Sequence, residues 1–125
     1  EGILSKSKID YLIIELGGND GLRGFNPNLI KNNLLPIIDI AKRYKVKPYI
    51  MNVKITPNYG PRYNQMFEAI FQEVAKEANI TLMPFFMENI AVKPELMQAD
   101  GIHPNVKAQP IIAEYVAKQL RTLIK

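Results

Sequence analysis

Asp100 precedes His103, the single histidine of the chain, by three residues and across Gly101. That spacing lets the carboxylate fold back and accept the proton on Nδ1 of the ring, which leaves Nε2 available as a general base. Two other readings fit the same segment. One is a helix-capping Asp beside a surface His. The other is a metal site built from Asp20, Asp100 and His103, a thin ligand set for any metal. A second group of residues, Gly17-Gly18-Asn19-Asp20-Gly21, combines glycines that permit close backbone approach with Asn19, a neutral donor suited to a developing oxyanion. A glycine-rich turn with a left-handed Asn is the structural alternative. A phosphate cradle fits less well, because neither GxGxxG nor GK[ST] is present. Without cysteine there is no disulfide, no thiolate metal site and no cysteine nucleophile. The only serines, Ser5 and Ser7, sit in a Lys-rich turn ahead of the first strand. Neither follows a strand, so neither is placed as a nucleophile.

The elements that must hold these groups can be read from periodicity. Residues 9–16, 48–55 and 81–86 are short segments rich in branched and aromatic side chains, and each reads as a strand. Tyr11 to Ile14 show no alternation, which predicts a strand buried on both faces, as in a parallel sheet covered by helices. Residues 29–44, 62–78 and 106–123 carry apolar side chains at helical spacing, with a kink expected at Pro36. Pro104 and Asn105 mark the start of the last helix, Asn105 as its cap. The order strand, helix, strand, helix, strand, helix predicts an α/β open parallel sheet with flanking helices and right-handed crossovers. Ligands of such sheets bind beyond the carboxyl ends of the strands. That rule selects residues 17–27, 56–61 and 87–105, and every polar group singled out above falls in one of these loops.

A strand as apolar as residues 9–16 should be paired on both edges, yet the chain offers it one obvious neighbour. The first residue is Glu1 rather than Met. Together these predict that one or two strands are absent from the N-terminal side. The length of 125 residues, with 47% hydrophobic and 22% charged residues, is that of one globular domain spanning 1–125. No apolar run approaches the roughly 20 residues that would span a bilayer, so no stable membrane insertion is expected. No charged-then-apolar leader follows Glu1, and the true N-terminus is expected to lie upstream. The net charge of +4 invites a nucleic-acid reading. The basic residues are scattered, however, and the one cluster, Lys42, Arg43, Lys45 and Lys47, lies where a helix should end and complement its dipole. No nucleic-acid partner is expected.

Glu15 to Gly24 after a buried strand, followed far downstream by Asp100-Gly101-Ile102-His103-Pro104-Asn105 opening the last helix, resembles the third and fifth signature blocks of SGNH (GDSL-like) serine esterases. Asn58-Tyr59-Gly60, Arg62-Tyr63-Asn64 and Pro84-Phe85-Phe86-Met87 resemble the periplasmic thioesterase/lysophospholipase (arylesterase-like) branch. The resemblance covers essentially the whole chain. It implies a flavodoxin-like three-layer sandwich and hydrolysis of a small-molecule acyl ester or thioester through an acyl-serine, with no cofactor and no metal. Asn19 would donate to the oxyanion, His103 would be the base and Asp100 would orient it. Gly18, Tyr59 and Arg62 would contact substrate, and residues 57–63 would shape the acyl cleft. The resemblance also implies a periplasmic or secreted location. The family's Gly-Asp-Ser block is absent, as is the second-block glycine, so the chain reads as the C-terminal part of an esterase, inactive by itself, with its nucleophile elsewhere. An unpaired first strand predicts a homo-oligomer or a bound N-terminal fragment. The alternatives kept open are a non-catalytic binding module and a metal-dependent phosphodiesterase.

Overall fold

The structure is a computed structural model that describes residues 2–17, 23–55 and 59–124. It divides into two compact units, Glu1–Met83 and Pro84–Lys125.

In the first unit the strands β1 (Tyr11–Ile14), β2 (Lys47–Met51) and β3 (Thr81–Met83) form a parallel sheet in the order β1-β2-β3. Tyr11 lies opposite Lys47, and Tyr49 opposite Thr81. Before β1 lies α1 (Gly2–Lys6); α2 (Pro27–Arg43) and α3 (Pro61–Ala78) provide the crossovers. The α2 helix begins where Asn26 Oδ1 accepts from the Asn28 amide at 3.0 Å, with Pro27 in the first turn, where its missing N–H costs nothing. It runs on through Pro36. Ile30, Leu34, Ile38 and Ala41 repeat every three or four residues and so share one buried stripe. The matching stripe of α3 is Phe67, Ile70, Phe71, Val74 and Ala75, and the two helices close over Ile14, Ile50 and Val53. Both helices end the same way. Lys45 and Asn79 adopt left-handed φ (59° and 55°), and the next amides, of Val46 and Ile80, reach back 2.9 Å to Ala41 and Ala75 carbonyls.

Three expectations need correction. Every strand is shorter than its apolar run. Asn52 gives a last ladder bond to the Met83 carbonyl (2.8 Å), after which its own side chain accepts from Val53 N–H and turns the backbone away. Beyond Met83, Pro84 has no N–H to extend β3. Second, β1 is not buried on both faces. Tyr11 and Ile13 are 38% and 37% exposed and only Ile14 is buried, because β1 forms the edge of the described sheet. Full burial belongs to the central strand, β2, from Pro48 to Met51. Third, Ser5 lies in a short helix rather than a turn, its hydroxyl donating to the Gly2 carbonyl at 3.0 Å.

The second unit has little regular structure before α4 (Gln109–Leu123), which is preceded by 3₁₀ turns at Pro94–Leu96 and Val106–Ala108. The helix expected from residue 106 therefore opens with a 3₁₀ turn. Met87, Ile90, Leu96 and Ala108 form a small core, with Phe85, Phe86, Met97 and Ile112 against it. No residue of α4 is fully buried, and Ile111 is exposed.

Candidate active site

Asp100 and His103 sit on an exposed loop of the second unit. Its two legs meet at an antiparallel bridge between Met97 and Pro104. Gln98 N–H donates to the His103 carbonyl (2.8 Å), and Gly101 N–H donates back to the Gln98 carbonyl (3.0 Å). Gly101 turns the chain with φ of +69°, a conformation that favours glycine. The Asp100 carboxylate then faces inward across the turn. Its Oδ1 accepts from the amides of Ile102 (2.9 Å) and His103 (3.0 Å), and its Oδ2 lies 2.7 Å from His103 Nδ1.

These bonds determine the electrostatics of the pair. The His103 ring and the two backbone amides hold the Asp100 carboxyl down at a pKa of about 2. An ionised carboxylate can only accept, so Nδ1 carries the proton and, in the neutral imidazole, Nε2 is the acceptor. No other described residue bonds the His103 ring, and its side chain is 67% exposed. The arrangement is an oriented imidazole with its basic nitrogen open to an incoming proton donor. Both Asp100 oxygens already serve this purpose. Among the described residues no three His, Cys, Asp or Glu side chains group as metal ligands. Asp20, the third member of the metal alternative, lies outside the described residues.

The other site residues belong to the first unit. Gly18 and Asn19 fall outside the described residues. The segment leading to them is constrained, because Gly17 has φ of +105° and a Cβ there would come 3.1 Å from Ile30 Cγ2 and 3.3 Å from Phe71 Cζ. Only glycine satisfies both demands. On the far side of that loop the Tyr63 hydroxyl donates to the Phe25 carbonyl at 2.6 Å, tying the loop to the first turn of α3. Tyr59 lies beside Tyr63, with ring centroids 6.0 Å apart, and the series continues through Phe67 to Phe71. Arg62 is exposed in the same first turn. Structure thus brings Asp100 and His103 into contact and puts Tyr59 and Arg62 together at the start of α3. The basic cluster is engaged locally, since Lys42 Nζ donates to the Ala78 carbonyl at the end of α3 and Lys47 Nζ lies 5.6 Å from the centre of the Tyr49 ring.

Two contributors were not legible in the sequence. Tyr63 acts on a carbonyl 38 residues away, and nothing local signals such a partner. Asn105 reads as a cap, and its Oδ1 does accept from Ala108 N–H (3.2 Å), but its Nδ2 also reaches the Glu95 carbonyl at 2.7 Å. Only the capping half has a sequence signal.

Comparisons with known proteins place the chain in a family. The family model described as GDSL-like Lipase/Acylhydrolase matches residues 3–116. Thioesterase 1/protease 1/lysophospholipase L1 of Escherichia coli (strain K12) is 46% identical over 122 residues, which is 98% of this chain and 59% of that protein. An arylesterase of Vibrio mimicus is 45% identical over 118 residues, 94% of this chain and 59% of its own length. Among solved structures, the psychrotrophic esterase EstA from Pseudoalteromonas sp. superposes with a TM-score of 0.94 at 38% identity, covering 98% of this chain and 67% of that one. The structure of TesA superposes at 0.91 with 39% identity, covering 98% and 68%. The chain therefore spans about three-fifths of the relatives it matches. An α/β parallel sheet flanked by helices, an oriented Asp–His pair beyond it in sequence, and a family match over nearly the whole chain lead to one conclusion: this chain belongs to the GDSL-like lipase/acylhydrolase family.

Proposed function

We propose that this chain supplies the general base and an oxyanion donor of a serine hydrolase that cleaves carboxylic esters and thioesters. The observation that carries the reading is the 2.7 Å bond from His103 Nδ1 to Asp100, with Nε2 left open. A serine Oγ outside this sequence attacks the acyl carbon and passes its proton to Nε2. Asp100 stabilises the imidazolium, and the Asn19 amide donates to the tetrahedral oxyanion. His103 then protonates the leaving alkoxide or thiolate. A water molecule, deprotonated by Nε2, releases the acid and restores the serine. No cofactor enters this scheme. Gly18, Tyr59 and Arg62 contact the substrate, and residues 1–125 belong to a single hydrolase domain. The relatives' names support acyl thioesters, lysophospholipids and aryl esters as substrates, and the EstA structure inhibited by monoethylphosphonate supports a phosphonate-sensitive centre. The complete protein acts in the periplasm or outside the cell; among the described residues no helix is long and apolar enough to cross a membrane.

In this reading the 125-residue chain is inactive alone and associates through β1, whose outer edge has no partner among the described strands. The test compares this chain with a polypeptide extended at its N-terminus to the relatives' length. The longer protein hydrolyses p-nitrophenyl esters, is labelled by an alkylphosphonate and is indifferent to EDTA, whereas the shorter runs at the buffer rate. Phosphonate-sensitive turnover by the short chain would overturn the assignment and point to Ser5 or Ser7. EDTA inhibition reversed by metal would favour a phosphodiesterase. Light scattering that finds a stable 14.2 kDa monomer would overturn the association.

A further inference from the structure

The loop bearing Asp100 and His103 is closed at its base by backbone bonds and by two side chains, Gln98, whose Nε2 donates to the Pro104 carbonyl at 3.1 Å, and Asn105. Its two legs are joined by backbone through the Met97–Pro104 bridge and through Asn105 N–H to the Leu96 carbonyl (2.9 Å). The Asn105 side chain adds a cross-tie of its own. Nδ2 lies 2.7 Å from the Glu95 carbonyl and 3.4 Å from that of Met97, while Oδ1 accepts from Ala108 N–H at 3.2 Å. The amide has only one sensible orientation, because carbonyls surround one end and an N–H faces the other. Leu96 and Ala108, on either side of this tie, are buried in the small core of the second unit. The Asn105 amide thus joins an anchored segment to the leg that holds His103, two residues away.

We propose that Asn105 is a positioning residue for the Asp100–His103 pair, acting through its donor end and not merely as a helix cap. Asp100 approaches His103 across a turn that has no burial to hold it. Without the Nδ2 bonds the legs keep their backbone ties and the Gln98 bond to Pro104 but lose the link from the His103 leg to Glu95. That link constrains their separation, and the 2.7 Å contact depends on that separation. A misplacement of about 1 Å is enough to cost an oriented catalytic group roughly 10²-fold in rate. The structural part of this inference stands independently of the esterase reading; only its effect on turnover rests on that reading.

Asn105→Ser separates the two roles. A serine hydroxyl still caps by accepting from Ala108 N–H, but it is too short to reach the Glu95 carbonyl. Asn105→Ala removes both functions. NMR on the 125-residue chain reads the His103 Nδ1 proton, which a strong bond to the carboxylate shields from exchange, and the titration midpoint of Asp100. The expected result is that Asn105→Ser loses the proton signal and shifts the Asp100 midpoint upward from about 2, as Asn105→Ala does. If Asn105→Ser matched the wild type in both readouts, the residue would be a cap only and the proposal would be overturned. Should Asn105→Ala fail to fold, the serine variant still decides. In the extended polypeptide, Asn105→Ser is expected to lower kcat by about 10- to 100-fold with KM little changed. A lost NMR signature with unchanged kcat would leave the positioning role standing and overturn the catalytic reading of the pair.

Discussion

Phe71 and His103 are held by opposite means. Phe71 has no exposed surface, touches Phe67 edge-on with centroids 5.4 Å apart, and lies 3.3 Å from where a Cβ on Gly17 would sit. Its position follows from close packing, in which a missing volume is felt directly. His103 is two-thirds exposed and has almost no packing. It is placed by one carboxylate, two backbone amides and a cross-tied loop. The comparison separates two jobs in one chain. The first unit uses burial to make a stable sheet, whereas the second uses directional bonds to orient a reactive group. Hydrogen bonds on a surface contribute little net stability, but they set distances and angles that burial leaves loose. Stability and reactivity should therefore respond to different substitutions.

His103→Ala in the N-terminally extended protein should lower kcat on the order of 10⁴-fold or more, since the serine loses its base. The same change should move unfolding free energy far less than truncation of a core side chain does, as for an exposed side chain. Steady-state kinetics and a melting curve on one preparation check both halves; a large drop in Tm would mean that the loop is part of the stability core. Phe71→Ala should do the reverse, costing about 3–5 kcal/mol in urea unfolding. Below its transition the Asp100 midpoint should stay near 2, because every bond that lowers it comes from residues 102 and 103.

The Asp100 carboxyl offers a finer separation. Its folded pKa lies below the ordinary value of about 3.9, so folding favours the ionised form. The linked contribution is complete above that ordinary value and is lost as pH falls through about 2. The carboxyl ¹³C titration should place the midpoint near 2 in the wild type, and His103→Ala should raise it. An unchanged midpoint in that variant would assign the shift to the backbone amides alone. The smallest expected effect lies at the end of α2. Lys45 holds a left-handed φ of 59° at a position that suits glycine. Lys45→Gly should therefore raise stability by a few tenths to about 1 kcal/mol, read as a higher Tm. A lower Tm would show that the Lys45 side chain contributes more than its backbone strain.

Much of this was legible in the sequence, for physical reasons that can be named. Helical periodicity identified the buried stripes of α2 and α3, because a 3.6-residue repeat leaves one face and only one face to bury. The spacing from Asp100 to His103 across Gly101 determined that the carboxylate could reach Nδ1, since a turn of that length depends on local backbone alone. The motifs around Asn19 and His103 pointed to the family that the comparisons identify. Tertiary structure decided what depends on neighbours far along the chain. Among the described strands it left β1 at the edge with Tyr11 and Ile13 in view, although its composition matches a buried strand, because burial of a strand is a property of the sheet around it. It shortened all three strands, since a ladder lasts only while both partners run side by side. Tyr63 joined the Phe25 carbonyl and Asn105 the Glu95 carbonyl through bonds that need two segments to arrive at the same place. A residue's own type and spacing determine what chemistry it can perform, but the distance to its partner exists only once the chain has closed.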